Sequence, residues 1–328
     1  MKVQRVDNWG ILQRLSAAGL IAALAVAWAP ASLPAALIVD DSWADGGRDN
    51  GSDPLDTNWW TSAASAGIEV SVGSLGLVTG GSGRGVHAVF PTQTLANVGA
   101  KLIARYTFTT PATVGTPGAA AFRVGLFDTL GRAGLDADVS SSSASPNALY
   151  GWGTGATPVG PGTAGLPGYM LDMDVRGSSE DLNFRRHDAG TVVPTGRLMG
   201  TTTGFTNISP SGPAGAYSFA PNTTYTGSLS IMRTSATEVE LTGTLGAATH
   251  SVTTEFDSVS FGMLAFWANS NTFGSSNQPN TPDNGIDFSN VQIEFVPIPE
   301  SSTAALGLWG LAAALRVARR RAAGGKRK

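Results

Sequence analysis

Two pairs of carboxylates stand at a spacing that could do acid–base work. Asp172 and Asp174 lie two residues apart in the segment Tyr169 to Val175, and Glu238 and Glu240 repeat the relation in Glu238 to Leu245. On a strand, residues two apart face the same side of the sheet. Glycoside hydrolysis uses carboxyl groups about 5–5.5 Å apart in retaining enzymes and about 6.5–9.5 Å apart in inverting ones, so either pair has the reach. The competing use of such acids is the solvated face of a strand, and that is the expected role of both pairs. Three histidines, His87, His187 and His250, fall in no Ser-His-Asp arrangement and in no metal-binding spacing. His187, in Phe184-Arg-Arg-His-Asp188, is the most suggestive, because arginines beside a histidine could hold an acidic sugar. The bland reading is a solvated hairpin end.

The chain has no cysteine, which excludes disulfides, thiolate metal sites and cysteine nucleophiles. The stretch from Asp40 to Asp53 gathers carboxylates among glycines, and Asp283 and Asp287 form a second acidic patch. A structural calcium ion would use such oxygen ligands. Turn-forming Asp-Gly and Asn-Gly steps account for the same residues without an ion, and the spacing does not match an EF-hand loop. No residue is assigned as a catalytic, cofactor or metal ligand. Trp59-Trp60, Tyr150-Gly-Trp152 and Trp267 stand in or beside expected loops, where rings can stack on sugar faces. Burial is the commoner fate of tryptophan. Any ligand contact would fall to Trp59, Trp60 and Trp152 with Asp172 and Asp174.

These residues must be held by strands. Apolar residues recur at period two in the segments 86–90, 101–108, 121–127, 169–175, 225–233, 238–245, 250–254, 260–267 and 291–295. Clusters of Gly, Pro, Asn and Ser separate them, and long glycine-rich loops fall at 140–167 and 269–284. No sustained helical stripe and no internal repeat interrupts this rhythm. The expectation is an all-β chain, with one antiparallel β-sandwich over residues 37–296. The phrases Ala121 to Asp128, Tyr225 to Arg233, and Ile286 to Phe295 resemble strands of concanavalin A-like jelly rolls of the laminin G and glucanase type. That resemblance implies a sandwich whose first and last strands lie side by side. The E-x-D-x-x-E strand signature of glucanases on that fold is absent.

The two ends carry the basic residues. Between Leu37 and Pro299 the chain has 11 bases and 22 acids, about −11, whereas the whole chain reads −3. An acidic body is repelled by phosphate backbones, which argues against nucleic acid as a partner. Lys2, Arg5 and Arg14 precede the apolar run Leu15 to Trp28 and the small-residue step Ala29-Pro-Ala31. This is the order of a secretory signal helix, cleaved after Ala31 or, as second choice, after Ala36. It implies signal peptidase and Sec-type export. Its alternative is an uncleaved anchor.

At the other end, Pro297 and Pro299 precede Glu300, an apolar segment at 303–318 that would form a short transmembrane helix, and Arg319-Arg320-Arg321. The arginines would hold this end in the cytoplasm. The order of motif, short helix and arginine cluster over 297–328 resembles the PEP-CTERM sorting signal of Gram-negative bacteria. The matching residues are Pro299, Glu300, Arg319, Arg320 and Arg321, and Ser301 stands where the second proline of the motif would be. The resemblance implies handling by an exosortase and delivery from a membrane-anchored precursor to the cell surface or extracellular matrix. The functional expectation is therefore a non-enzymatic surface or matrix protein that contacts extracellular polysaccharide. Its alternative is a secreted glycoside hydrolase or polysaccharide lyase.

Overall fold

In the computed structural model the described residues are 34–298, less 50–53, 66, 80–82, 116–120, 133–134, 137, 139–165, 176–180, 189–197, 201 and 203. Ala35–Val296 forms one compact unit, separate from a unit made of the two chain ends. The signal segment, the sorting motif with Pro299, Glu300, Arg319, Arg320 and Arg321, and Trp152 lie outside the described residues. Among the described residues no helix is long and apolar enough to cross a membrane.

The described secondary structure is all strand: β1 (Ala36–Asp41), β2 (Trp59–Ser65), β3 (Ile68–Ser71), β4 (Ser74–Val78), β5 (Arg84–Thr94), β6 (Lys101–Thr109), β7 (Ala121–Phe127), β8 (Gly168–Asp174), β9 (Leu182–His187), β10 (Phe205–Ile208), β11 (Thr224–Arg233), β12 (Glu238–Leu245), β13 (Ala248–Glu255), β14 (Ser260–Ala268) and β15 (Gly285–Val296). All nine expected segments are strands, most of them within two residues of the expected limits. The short strands β3, β4 and β10, and the strands β1, β2 and β9, were not anticipated. Four or five residues are too few to display a period, and β9 has only two apolar residues, Leu182 and Phe184, before Arg185-Arg186-His187.

All pairings are antiparallel. One sheet, here sheet A, runs β13-β12-β11-β6-β15-β4-β3, with β1 added on β15, and sheet B runs β10-β9-β8-β7-β14-β5-β2. β15 serves two neighbours along one edge. Its first residues pair with β4, from Gly285↔Val78 to Phe288↔Leu75, and its last with β1, from Val291↔Asp41 to Phe295↔Ala36. First and last strands are therefore adjacent, and the two-sheet architecture is consistent with the expected jelly roll.

Apolar residues of the facing sides meet between the sheets. Phe266 of β14 lies 4.5 Å from Phe288 of β15, Phe108 of β6 lies 5.1 Å from Phe122 of β7, and Tyr106 packs edge-on against Phe266 at 5.5 Å. Trp59 belongs to this core and is wholly buried. Its indole Nε1 donates to Asp41 Oδ2 at 2.7 Å, and the Trp43 backbone N–H donates to Asp41 Oδ1 at 3.0 Å. The expectation that Trp59 stacks on a ligand is thereby corrected: its ring sits 5.8 Å from Trp43 and 6.1 Å from Phe266. Trp267 is buried as well. A two-ring indole removes more apolar surface from water than any other side chain, and its one donor is satisfied by the carboxylate of Asp41 at Trp59 and by the amide oxygen of Asn269 at Trp267.

Candidate functional site

Sheet B has a second apolar layer on the side away from the main core. On β7, Phe122, Val124 and Leu126 enter the main core, while Phe127 joins Leu135, Leu166, Met170, Leu198, Met199, Met263, Ala265 and Trp267 in a separate cluster. Strand alternation places Arg123 and Gly125 on that same outer side, with Asp172 and Asp174 on β8 and Arg185 and His187 on β9. Register aligns them. One transverse row runs Trp267, Arg123, Asp172, Asn183, and the next runs Trp60, His87, Ala265, Gly125, Met170, Arg185, Asn207.

Asp172 is the hub. Its Oδ1 accepts from Arg123 Nε at 2.8 Å and its Oδ2 from Arg185 Nε at 2.7 Å. Its side chain is 8% exposed and that of Arg123 only 6%. Arg123 spends a further N–H on the Met199 carbonyl at 2.7 Å, and Asn269 Oδ1 accepts from Trp267 Nε1 at 2.8 Å. The expected solvated position of Asp172 is corrected: residues 135, 166 and 198–199 roof the strand, and a buried carboxylate persists because two guanidiniums neutralise it. Arg123 was not anticipated. The available signal was a charge inside the otherwise apolar run Ala121-Phe-Arg-Val-Gly-Leu-Phe127, a position that requires a partner.

The histidines follow the same rule. His187 is buried at the end of β9 instead of standing at a solvated hairpin end. Its Nδ1 donates to the Leu166 carbonyl at 2.9 Å, and Nε2 has no hydrogen-bond partner. The ring lies 4.9 Å from that of Phe205. His87 Nε2 donates to the Leu135 carbonyl at 2.8 Å. Burial pushes the His87 pKa down to about 4 and lowers that of His187, so both imidazoles are neutral at pH 7.

At the margin of the roof the side chains keep hydrogen-bonding capacity. Arg185 is partly exposed, and beyond its Nε bond its guanidinium donates to no described residue. Asp174 is half-buried, and its pKa is raised by burial and then by Asp172 and Asp181. Asn207 is exposed opposite Arg185. Asn183 donates to Asp181 at 2.6 Å. Trp60 is half-buried on the same face five strands away, with the Arg48 guanidinium 6.0 Å from its ring. Arg48 is fixed by a two-pronged bond to Asp138 at 2.9 and 2.8 Å.

The other candidates lie elsewhere. Glu238 and Glu240 are on the outer side of sheet A, exposed and partly exposed, as expected for a solvated strand face. Asp40 accepts from Gln292 and Asn290, and Asp283 from Thr113 and Ser275. These carboxylates are engaged by protein donors. Among the described residues no group of three or more His, Asp or Glu is arranged to hold a metal ion.

No protein-family model matches the chain, and no curated protein matches it. Among solved structures it is similar to an endo-1,3-beta-glucanase from Streptomyces sioyaensis, with TM-score 0.43 and 12% identity over 82% of this chain and 99% of that one. It is also similar to the carbohydrate recognition domain of Emp47p, with TM-score 0.44 and 12% identity over 80% of this chain and 95% of that one. A third similarity is to the alginate lyase Aly36B, with TM-score 0.40 and 14% identity over 80% of this chain and 99% of that one.

Proposed function

We propose that this chain is an exported protein of the cell surface or extracellular matrix of a Gram-negative bacterium, and that its β-sandwich contacts polysaccharide without cleaving it. Export and sorting rest on the two ends of the sequence: signal peptidase removes the first, and an exosortase acts at Pro299-Glu300 of the second. The contact surface is the outer side of sheet B along β8, β9 and β10, where Arg185, Asp174 and Asn207 have donors and acceptors to offer to sugar hydroxyls.

The observation that carries the non-enzymatic reading is the state of Asp172. Both of its oxygens accept guanidinium N–H groups, one from Arg123 and one from Arg185, so neither is free to meet a leaving group or a sugar carbon. Its neighbour Asp174 supports the alternative, since a raised pKa is what a general acid needs. A panel of soluble and insoluble glycans separates the two readings. Retention without turnover, weakened by Arg185→Ala and by Asn207→Ala, is the expected result. Release of new reducing or unsaturated ends, abolished by Asp174→Asn, would replace it with the enzyme. For sorting, Pro299→Ala with Glu300→Ala is expected to accumulate the unprocessed chain in the membrane fraction, and unchanged processing would remove the exosortase from the account.

A further inference from the structure

The two poles of the sandwich are built from different side chains. At one pole the chain enters β1 and leaves β15, and there the links 95–100, 128–167, 188–204, 234–237 and 256–259 also begin and end, of which 133–134, 137, 139–165, 189–197, 201 and 203 lie outside the described residues. Among the described residues of Ala35–Val296, three of the four exposed large hydrophobic side chains stand at this pole: Val98 is 55% exposed, Leu130 48% and Leu37 38%. Val72, the fourth, is in the turn between β3 and β4. At the opposite pole, the links 110–113, 221–223, 246–247 and 269–284 are rich in Thr, Ser, Asn, Asp and Gly, and none of their described residues is an exposed large hydrophobic.

The apolar tips are held in place. Arg233 donates to the carbonyls of Leu95 at 3.1 Å, Ala96 at 2.6 Å and Ser235 at 3.0 Å, and its own carbonyl accepts the Gly99 N–H at 2.7 Å. Its guanidinium also lies 5.5 Å from the ring of Phe256. Val98 therefore projects from a braced turn. Leu130 adopts a left-handed backbone with φ 52°, a conformation that glycine or asparagine occupies more cheaply. It is kept there by its N–H bond to Asp128 Oδ1 at 2.8 Å, while Asp128 Oδ2 accepts from Ser258 at 2.5 Å. The links 95–100 and 234–237 contain no charged residue, and the Arg233 guanidinium beside them already donates to their carbonyls. Scattered surface leucines need no explanation, but rigidly presented ones gathered at one pole do.

The length of the chain beyond β15 says what covers them. Only the six residues 297–302 separate Val296 from the apolar segment that starts at Thr303, a reach of at most about 20 Å. We infer that this pole rests on the bilayer entered by the C-terminal segment, with Val98, Leu130 and Leu37 set into the lipid interface while the opposite pole faces outward. The inference rests on the reading of 303–318 as a membrane anchor, made above.

The absence of cysteine makes the test direct. Val98→Cys, Leu130→Cys and Ala247→Cys each give the full-length chain a single site for a fluorescent label, with position 247 at the opposite pole. The labelled chains are reconstituted into phosphatidylcholine vesicles containing a lipid-bound quencher. Labels at 98 and 130 are expected to lose most of their fluorescence, and the label at 247 to keep it. Equal emission from all three on chains that float with the vesicles would overturn the orientation and leave the anchor standing. Chains that do not float would overturn both. Shielding of 98 and 130 in detergent alone, before lipid is added, would make a second copy of the chain the occupant and overturn the membrane contact.

Discussion

The outer faces of the two sheets begin from the same kind of sequence and end in opposite environments. On sheet A the outward positions of β11, β12 and β13 include Thr226, Ser228, Glu238, Glu240, Thr242, Thr244, Thr249 and Ser251, which are exposed or partly exposed, and Ser230, which is buried. Neighbouring hydroxyls bond across strands, Ser228 to Thr244 and Thr242 to Ser251, both at 2.8 Å. On sheet B the outward positions hold Arg123, Asp172 and His187 beside Met170, Met263 and Trp267, and all are buried. Alternation of polar and apolar residues identifies a strand and tells one side from the other. It does not say whether the polar side meets water or a loop.

The sharpest way to break this contrast is to remove the hub. Asp172→Ala leaves two guanidiniums facing each other, one of them deeply buried, and is expected to cost about 3–5 kcal/mol in urea unfolding. If Asp172→Ala costs less than a surface substitution does, the roof is not closed and the two faces are alike. Replacing Arg123, Asp172 and Arg185 together by Met, Leu and Met is expected to restore most of the loss, because no charge is then left unpaired.

The buried histidines give the next effect. His87 has a pKa of about 4 in the fold, against about 6.5 when unfolded. Between those values the unfolded chain binds a proton that the native chain does not, so stability falls as pH drops from about 6.5 to about 4, by up to about 3 kcal/mol. Above pH 6.5 the group contributes no slope. Asp41 and Asp174, whose pKa values are raised by burial, act in the opposite direction, since acidification relieves their charge. The test is therefore a difference: stability measured from pH 7 to pH 4 should fall less steeply for His87→Leu than for the parent chain. Identical slopes would put His87 in contact with water.

Gly125 marks the middle of the roofed face. A methyl group there would stand 2.4 Å from the Phe127 ring and 3.3 Å from the Met199 sulfur. Gly125→Ala is expected to cost about 1–3 kcal/mol in thermal unfolding, through overpacking. A neutral result would mean that Met199 and its neighbours lie loosely on the sheet.

Much of the fold was legible because several strands are long and alternate, strictly so in Glu238–Leu245 and from Ala104 onward in Lys101–Thr109. The adjacency of β1 and β15 followed only from the resemblance to jelly rolls, since no local signal in Ala36–Asp41 names its partner. The candidate site was legible in part. Asp172, Asp174 and the arginines of β9 stood out by type, but Asp172 was assigned to solvent because its cover comes from Leu135, Leu166 and Met199, far away in the chain. Trp59 failed for the related reason that a tryptophan beside a loop and a tryptophan in the core have the same local sequence. Arg123 was readable as a charge in an apolar strand. What it pairs with was not, because Asp172 is 49 residues away.

The smallest effects belong to sheet A, and they matter because they set the scale for the rest. Thr242 lies midway along β12 with its hydroxyl 2.8 Å from that of Ser251, in a position open to water. Thr242→Val keeps the branched shape that suits a strand and removes one hydroxyl, whose partner Ser251 is exposed and turns to solvent instead. The expected change is within about 0.5 kcal/mol of zero, as for surface sites generally. The exposed Arg105–Glu294 pair, 3.4 Å apart, is expected to behave likewise and to lose even that contribution in high salt. If either substitution cost as much as Asp172→Ala, the outer side of sheet A would be covered too. The asymmetry that singles out sheet B as the candidate contact face would then disappear.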